Sequence, residues 1–79
     1  MDILQSAKDY FNMEYNDAER FVSRPSTEDF WRRQCVDKTC ARCLGVALFV
    51  QELGISYEEI NPAYEEVQKK LYALIKVEA

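Results

Sequence analysis

The sequence predicts an all-α protein, a small orthogonal bundle of about four helices around a central hydrophobic helix. Three observations predict it. Apolar residues recur at three- and four-residue spacing along most of the chain. There is no alternating apolar–polar run and no hairpin dipeptide, so strand signals are absent. Leu53-Gly54-Ile55-Ser56 carries a helix stop followed at once by a helix start.

The first apolar face runs through Ile3, Leu4, Ala7, Tyr10 and Phe11, and Tyr15, Ala18, Phe21 and Val22 continue it. One long helix would explain both runs. Against it, Glu14 interrupts the stripe, and Asn12 is second only to glycine as a left-handed helix stop. Phe11–Ala18 also echoes Leu53–Ile60, with an αL-capable residue after the first apolar one and a Tyr two positions after the second. These features favour a helix–corner–helix at Asn12, although Glu14 is a poor cap, and residues 3–22 read as either one helix or two.

Ser23–Thr27 reads as a turn around Pro25. Ser26 or Thr27 is expected to cap the next helix, with Glu28 and Asp29 favourable in its first turn. The helical pattern then runs to Leu53, about 40 Å if unbroken, so a bend near Asp37–Thr39 is expected. From Cys43 to Val50 apolar residues point all round the helix, and helices of that kind are buried. This segment is expected to be the central element, with Gly45 allowing a neighbour to approach closely. The last helix opens at the Ser56/Glu59 capping box. Asn61-Pro62 predicts a kink or a restart capped by Asn61. Tyr64, Val67, Leu71, Leu74 and Ile75 form its buried stripe, and Glu65–Lys69 and Glu66–Lys70 are expected as solvent-side pairs.

At 79 residues the chain has room for one domain, read here as 1–79, which is marginal when alone. The hydrophobic fraction of 48% favours a folded chain over a disordered one. The opening residues lack a signal-peptide pattern. The longest charge-free stretch, Cys43–Gln51, falls far short of the ~20 residues that span a bilayer. A cytoplasmic protein with reduced thiols and no membrane partner is expected.

Cys35, Cys40 and Cys43 are the only place where metal or redox chemistry could begin, because the chain has no histidine. A structural zinc site needs four ligands, and the Cys-x4-Cys-x2-Cys spacing of iron–sulfur proteins needs a distant fourth cysteine. Neither is present in the sequence. On a helix Cys35 and Cys43 lie about 12 Å apart along the axis. A redox CxxC belongs at a helix N-terminus, where the dipole lowers the thiol pKa, and this one lies mid-helix. The cysteines therefore read as small buried hydrophobes, and their odd number argues against a disulfide framework. No metal and no cofactor is expected.

No catalytic residue is expected either. There is no imidazole to serve as base, no glycine-rich phosphate loop and no nucleophile elbow, and no small-molecule substrate is evident. The net charge of −4 disfavours nucleic acid. Residues 20–42 are locally basic, but Arg32, Arg33, Lys38 and Arg42 scatter around a helical wheel. An acidic C-terminal helix acting as a DNA mimic is weakened by the Glu–Lys pairing, which cancels its field.

The reading that remains is a helical module that binds a protein partner or a second copy of itself. Five tyrosines, a residue enriched at interfaces, support it. The expected surface residues are Arg32, Arg33, Tyr57, Tyr64 and Tyr72. The alternative is a helix-turn-helix-like DNA-binding or transcription-regulatory protein, with Leu53, Ile55 and Ile60 buried around the Gly54 turn. Its reading helix would carry Glu58, Glu59, Glu65 and Glu66 toward phosphates, which is unfavourable.

Overall fold

The computed structural model describes residues 2–75 as three helices: α1 (Ile3–Val22), α2 (Asp29–Glu52) and α3 (Tyr57–Ala73). The fold is all-α as expected, but three helices replace the expected four. No strand is present among the described residues.

The missing corner is the one expected at Asn12. α1 runs unbroken through it, and among the described residues only Gly54 has a positive φ. Asp2 caps α1 by accepting the Gln5 backbone N–H at 3.1 Å. The buried face is Ala7, Phe11, Ala18 and Val22, and Glu14 occupies the step between Phe11 and Ala18. The stripe survives a carboxylate there because Arg42 of α2 supplies the opposite charge.

The turn also differs from expectation. Glu28, not Ser26 or Thr27, is the N-cap of α2, and its side chain makes no capping bond. The Thr27 hydroxyl instead donates back to the Phe21 carbonyl at 3.1 Å, which ties the turn to the end of α1. α2 is continuous through Asp37–Thr39, and its 24 residues make a rod of about 36 Å. The molecule is elongated to accommodate it, measuring 42 × 23 × 14 Å. Its radius of gyration is 13.4 Å, against about 11.6 Å for a compact chain of this length.

The α2–α3 corner forms as its residues dictate. Ile55 N–H donates to the Val50 carbonyl at 3.0 Å and Gly54 N–H to that of Gln51 at 3.1 Å, the two bonds of a glycine-terminated helix. Gly54 has φ +105°. Ser56 Oγ accepts the Glu59 N–H at 3.2 Å, and Glu59 Oε1 accepts the Ser56 N–H at 3.4 Å.

α3 neither breaks nor restarts at Pro62. Ile60 and Val67, both buried, hold the helix against the core on either side of the proline. The Asn61 side chain donates to Glu65 at 2.7 Å rather than capping a new helix. Neither expected Glu–Lys pair comes within ion-pair distance. Glu65 is taken by Asn61, and the Lys70 ammonium lies 4.3 Å from the Tyr15 ring centre.

Each helix packs on the other two. Phe11, Val36, Cys43, Ile60 and Leu71 lie at the centre of the bundle, each at most 2% exposed. Three helices in a triangle leave every helix one outward side. That geometry overturns the expectation that Cys43–Leu53 is enclosed. Cys43, Ala47 and Val50 are buried, whereas Leu44, Leu48, Phe49 and Leu53 are exposed.

Candidate interaction surface

Successive residues of a helix turn by about 100°. On α2 the buried residues Val36, Thr39, Cys43, Ala47 and Val50 share one side by that count. Ala41, Leu44, Gly45, Leu48, Phe49 and Glu52 share the opposite side, and all are exposed. The second half of α2 is thus apolar on two faces, one packed and one open. Leu44 is 42% exposed, Leu48 55%, Phe49 61% and Leu53 50%. Tyr57, 58% exposed, opens α3 just past the corner. A Cβ placed on Gly45 would meet nothing within 4 Å. The close neighbour expected at Gly45 is absent among the described residues, and the glycine is a notch in the open face.

A smaller apolar patch stands at the other end of α2. Phe30 and Trp31 pack edge to face with ring centres 4.9 Å apart, and both are exposed. Gln34, Asp37 and Lys38 separate this pair from the Leu44–Leu53 patch.

The residues expected at a surface are spread over the bundle rather than gathered on the open face of α2. Arg32 and Arg33 lie in the first turns of α2, about 30 Å along the helix from Leu53. Arg32 pairs with Asp29 at 3.3 Å, and its Nε is buried without a hydrogen-bond partner. Tyr64 is half-buried and packs edge to face on Phe11 across α1 and α3, with ring centres 6.4 Å apart. The Tyr72 hydroxyl reaches Asp37 at 3.5 Å, which ties α3 to the middle of α2. Only Tyr57 adjoins the open patch. Sequence reasoning misses the leucines and Phe49 because an all-round apolar helix reads as enclosed. The signal that points to them is the small Ala41/Gly45 pair on the same side of α2 as Leu44 and Leu48.

Cys40 and Cys43 sit where thiolate chemistry is suppressed. Burial, with Glu14 and Cys40 adding negative charge, pushes the Cys43 thiol up to about 12. Burial followed by the Asp37 charge raises Cys40 as well. A metal ligand or nucleophile needs the thiolate, and here the surroundings oppose it. No group of three Cys, Asp or Glu side chains among the described residues is placed to hold a metal.

A groove of about 350 Å³ opens between α1 and α3. Lys8 of α1 and Glu59, Glu66 and Lys70 of α3 line it, two cations with two carboxylates, so its formal charges cancel. No helix among the described residues is long and apolar enough to cross a membrane.

No known protein family model matches the chain, and no curated protein or solved structure does so either.

Proposed function

We propose that this chain is a small helical protein–protein interaction or self-association module without catalytic activity, working through the outward face of α2. The observation that carries this reading is the exposure of Leu44, Leu48 and Phe49 on the outward side of α2, with Leu53 exposed at its end. Monomeric proteins rarely leave a contiguous apolar patch of more than a few hundred Å² in water. A polar outward face would be just as helical and more soluble, so an apolar one calls for an occupant. The suppressed Cys40 and Cys43 thiols and the charge-balanced α1–α3 groove support a binding role over a catalytic one. Three unpaired cysteines fit a cytoplasmic setting.

The helix-turn-helix alternative gains nothing from the geometry. Leu53, which that motif would bury beside the Gly54 turn, is 50% exposed, and α3 leads with Glu58 and Glu59, both exposed, where a phosphate backbone would lie.

The test compares wild type with a Leu48→Asp/Phe49→Asp double variant. Sedimentation velocity on the pure protein is paired with affinity capture from cells of the native source. The variant keeps its helical circular dichroism and melting temperature, because both positions are solvent-facing. Loss of a wild-type complex, with self or with another protein, supports the reading. An identical profile for both proteins in both experiments would falsify it.

A further inference from the structure

We infer that the occupant of the outward α2 face is a second copy of this chain, packed antiparallel about a two-fold axis between Gly45 and Leu48. The inference rests on the association reading above and adds the partner and its orientation.

The first argument is shape. A two-fold axis at that point brings residues equally far on either side of it to the same height along the paired helices. Gly45 is then level with Leu48 of the second copy, about 60° from it around the helix, while Leu44 and Phe49, about 140° apart, line the two flanks of the seam. The open notch at Gly45, where an added Cβ meets nothing within 4 Å, receives a leucine side chain, twice by symmetry. Ala41, the other small residue of the face, lets the helices stay close one turn further out. A surface that supplies both its own notch and its own knob is self-complementary.

The second argument is charge. Lys38 and Glu52 stand at opposite ends of the face, both exposed, and neither is in an ion pair among the described residues. In the antiparallel arrangement Lys38 of one copy lies about 4.5 Å along the axis from Glu52 of the other, so each end of the patch closes with an opposite charge. A parallel pair would set Lys38 against Lys38 and Glu52 against Glu52. Charge thus selects the antiparallel pair over the parallel one.

The third argument is the make-up of the face. The face from Lys38 to Leu53, with Tyr57 beside it, runs about 22 Å along α2 and is apolar at its centre with charges at its rim. That is the anatomy of an interface. It would also relieve the small buried core of a short chain.

The test is sedimentation equilibrium of the full chain under reducing conditions from micromolar to millimolar concentration. The expected mass rises from 9.3 kDa toward twice that value. Lys38→Glu and Glu52→Lys each weaken the dimer about tenfold, since each disturbs two symmetry-related pairs, and the double reversal recovers wild-type affinity to within about threefold. Leu48→Asp abolishes the dimer while the helical signal and melting temperature of the dilute protein hold. A monomer at every concentration overturns the inference, as does a dimer indifferent to both charge reversals or not restored by the double one. If the pure protein is monomeric but a native complex depends on Leu48 and Phe49, the dimer fails and the association reading stands. If neither complex exists, both fail.

Discussion

Glu14 and Arg42, 28 positions apart in the chain, form a two-pronged ion pair that joins α1 to α2. Arg42 Nε donates to both Glu14 oxygens at 3.2 Å and Nη2 donates to one of them at 3.0 Å. Nη2 also donates to the Thr39 hydroxyl at 3.2 Å. The Glu14 side chain is only 12% exposed. Burial pushes its carboxyl up, but hydrogen bonds from Arg42 and Tyr10 and the guanidinium charge outweigh that and hold it below the ordinary value. The same pair raises Arg42. This contact is what allows one α1 in place of two helices.

Removing one partner leaves the other charge poorly satisfied. Glu14→Gln is expected to cost about 1–2 kcal/mol, and Arg42→Met a similar amount. The double variant should cost less than the sum of the two. Urea unfolding of the four proteins measures the coupling; additive losses would show that the pair contributes nothing.

The depressed Glu14 carboxyl has a pH signature. A carboxyl with a folded pKa below its unfolded one adds stability above the unfolded value and loses it as pH falls through the folded value. Wild type should therefore lose stability below about pH 4.5, the ordinary glutamate value, and Glu14→Gln should lose less over that range. Urea midpoints from pH 7 down to pH 2.5 check this.

The thiols predict the opposite limb. Cys43 is raised to about 12 from an ordinary 9.0, so its contribution is complete below pH 9 and is lost as pH rises toward 12. Cys43→Ala should flatten the alkaline limb, although it costs stability at neutral pH by opening a cavity. In the native protein half-exposed Cys35 should react first with a thiol reagent at pH 8. Cys40 and Cys43, both buried, should react only as the chain opens. Mass spectrometry of partially labelled protein reads the order.

The two glycines should respond oppositely to alanine. Gly54→Ala places a side chain at φ +105° and should cost about 1–2 kcal/mol. Gly45→Ala meets open space in the middle of a helix and should stabilise the dilute protein by about 0.5–1 kcal/mol. Thermal melts of both variants test the contrast.

Ser56→Ala removes the acceptor for the Glu59 N–H and should cost about 1 kcal/mol. Amide exchange should quicken first at Glu59 and Ile60. Exchange unchanged there would mean the capping box contributes little.

The features legible in the sequence are those made by neighbours. Gly54, Ile55, Ser56 and Glu59 close the α2–α3 corner through bonds spanning three to five residues, so reading the string suffices. The apolar periods of α1 and α3 are local in the same sense. Asn12 and Pro62 misled because both are local break signals that distant packing overrode. Glu14 became an acceptable stripe residue only once Arg42 stood across from it. Pro62 stayed inside α3 because Ile60 and Val67 are anchored on either side.

The candidate surface was illegible for the same reason. The residues from Cys43 to Val50 are apolar all round the helix, but which side stays dry depends on how many helices cover it. Helix type, the Gly54 corner and the lack of an imidazole base follow from the sequence by itself. The number of helices, the fate of Glu14 and the open face at Leu44, Leu48 and Phe49 were decided by the tertiary structure. Short-range hydrogen bonds choose an element wherever the chain happens to be, whereas burial and charge pairing exist only once distant segments meet.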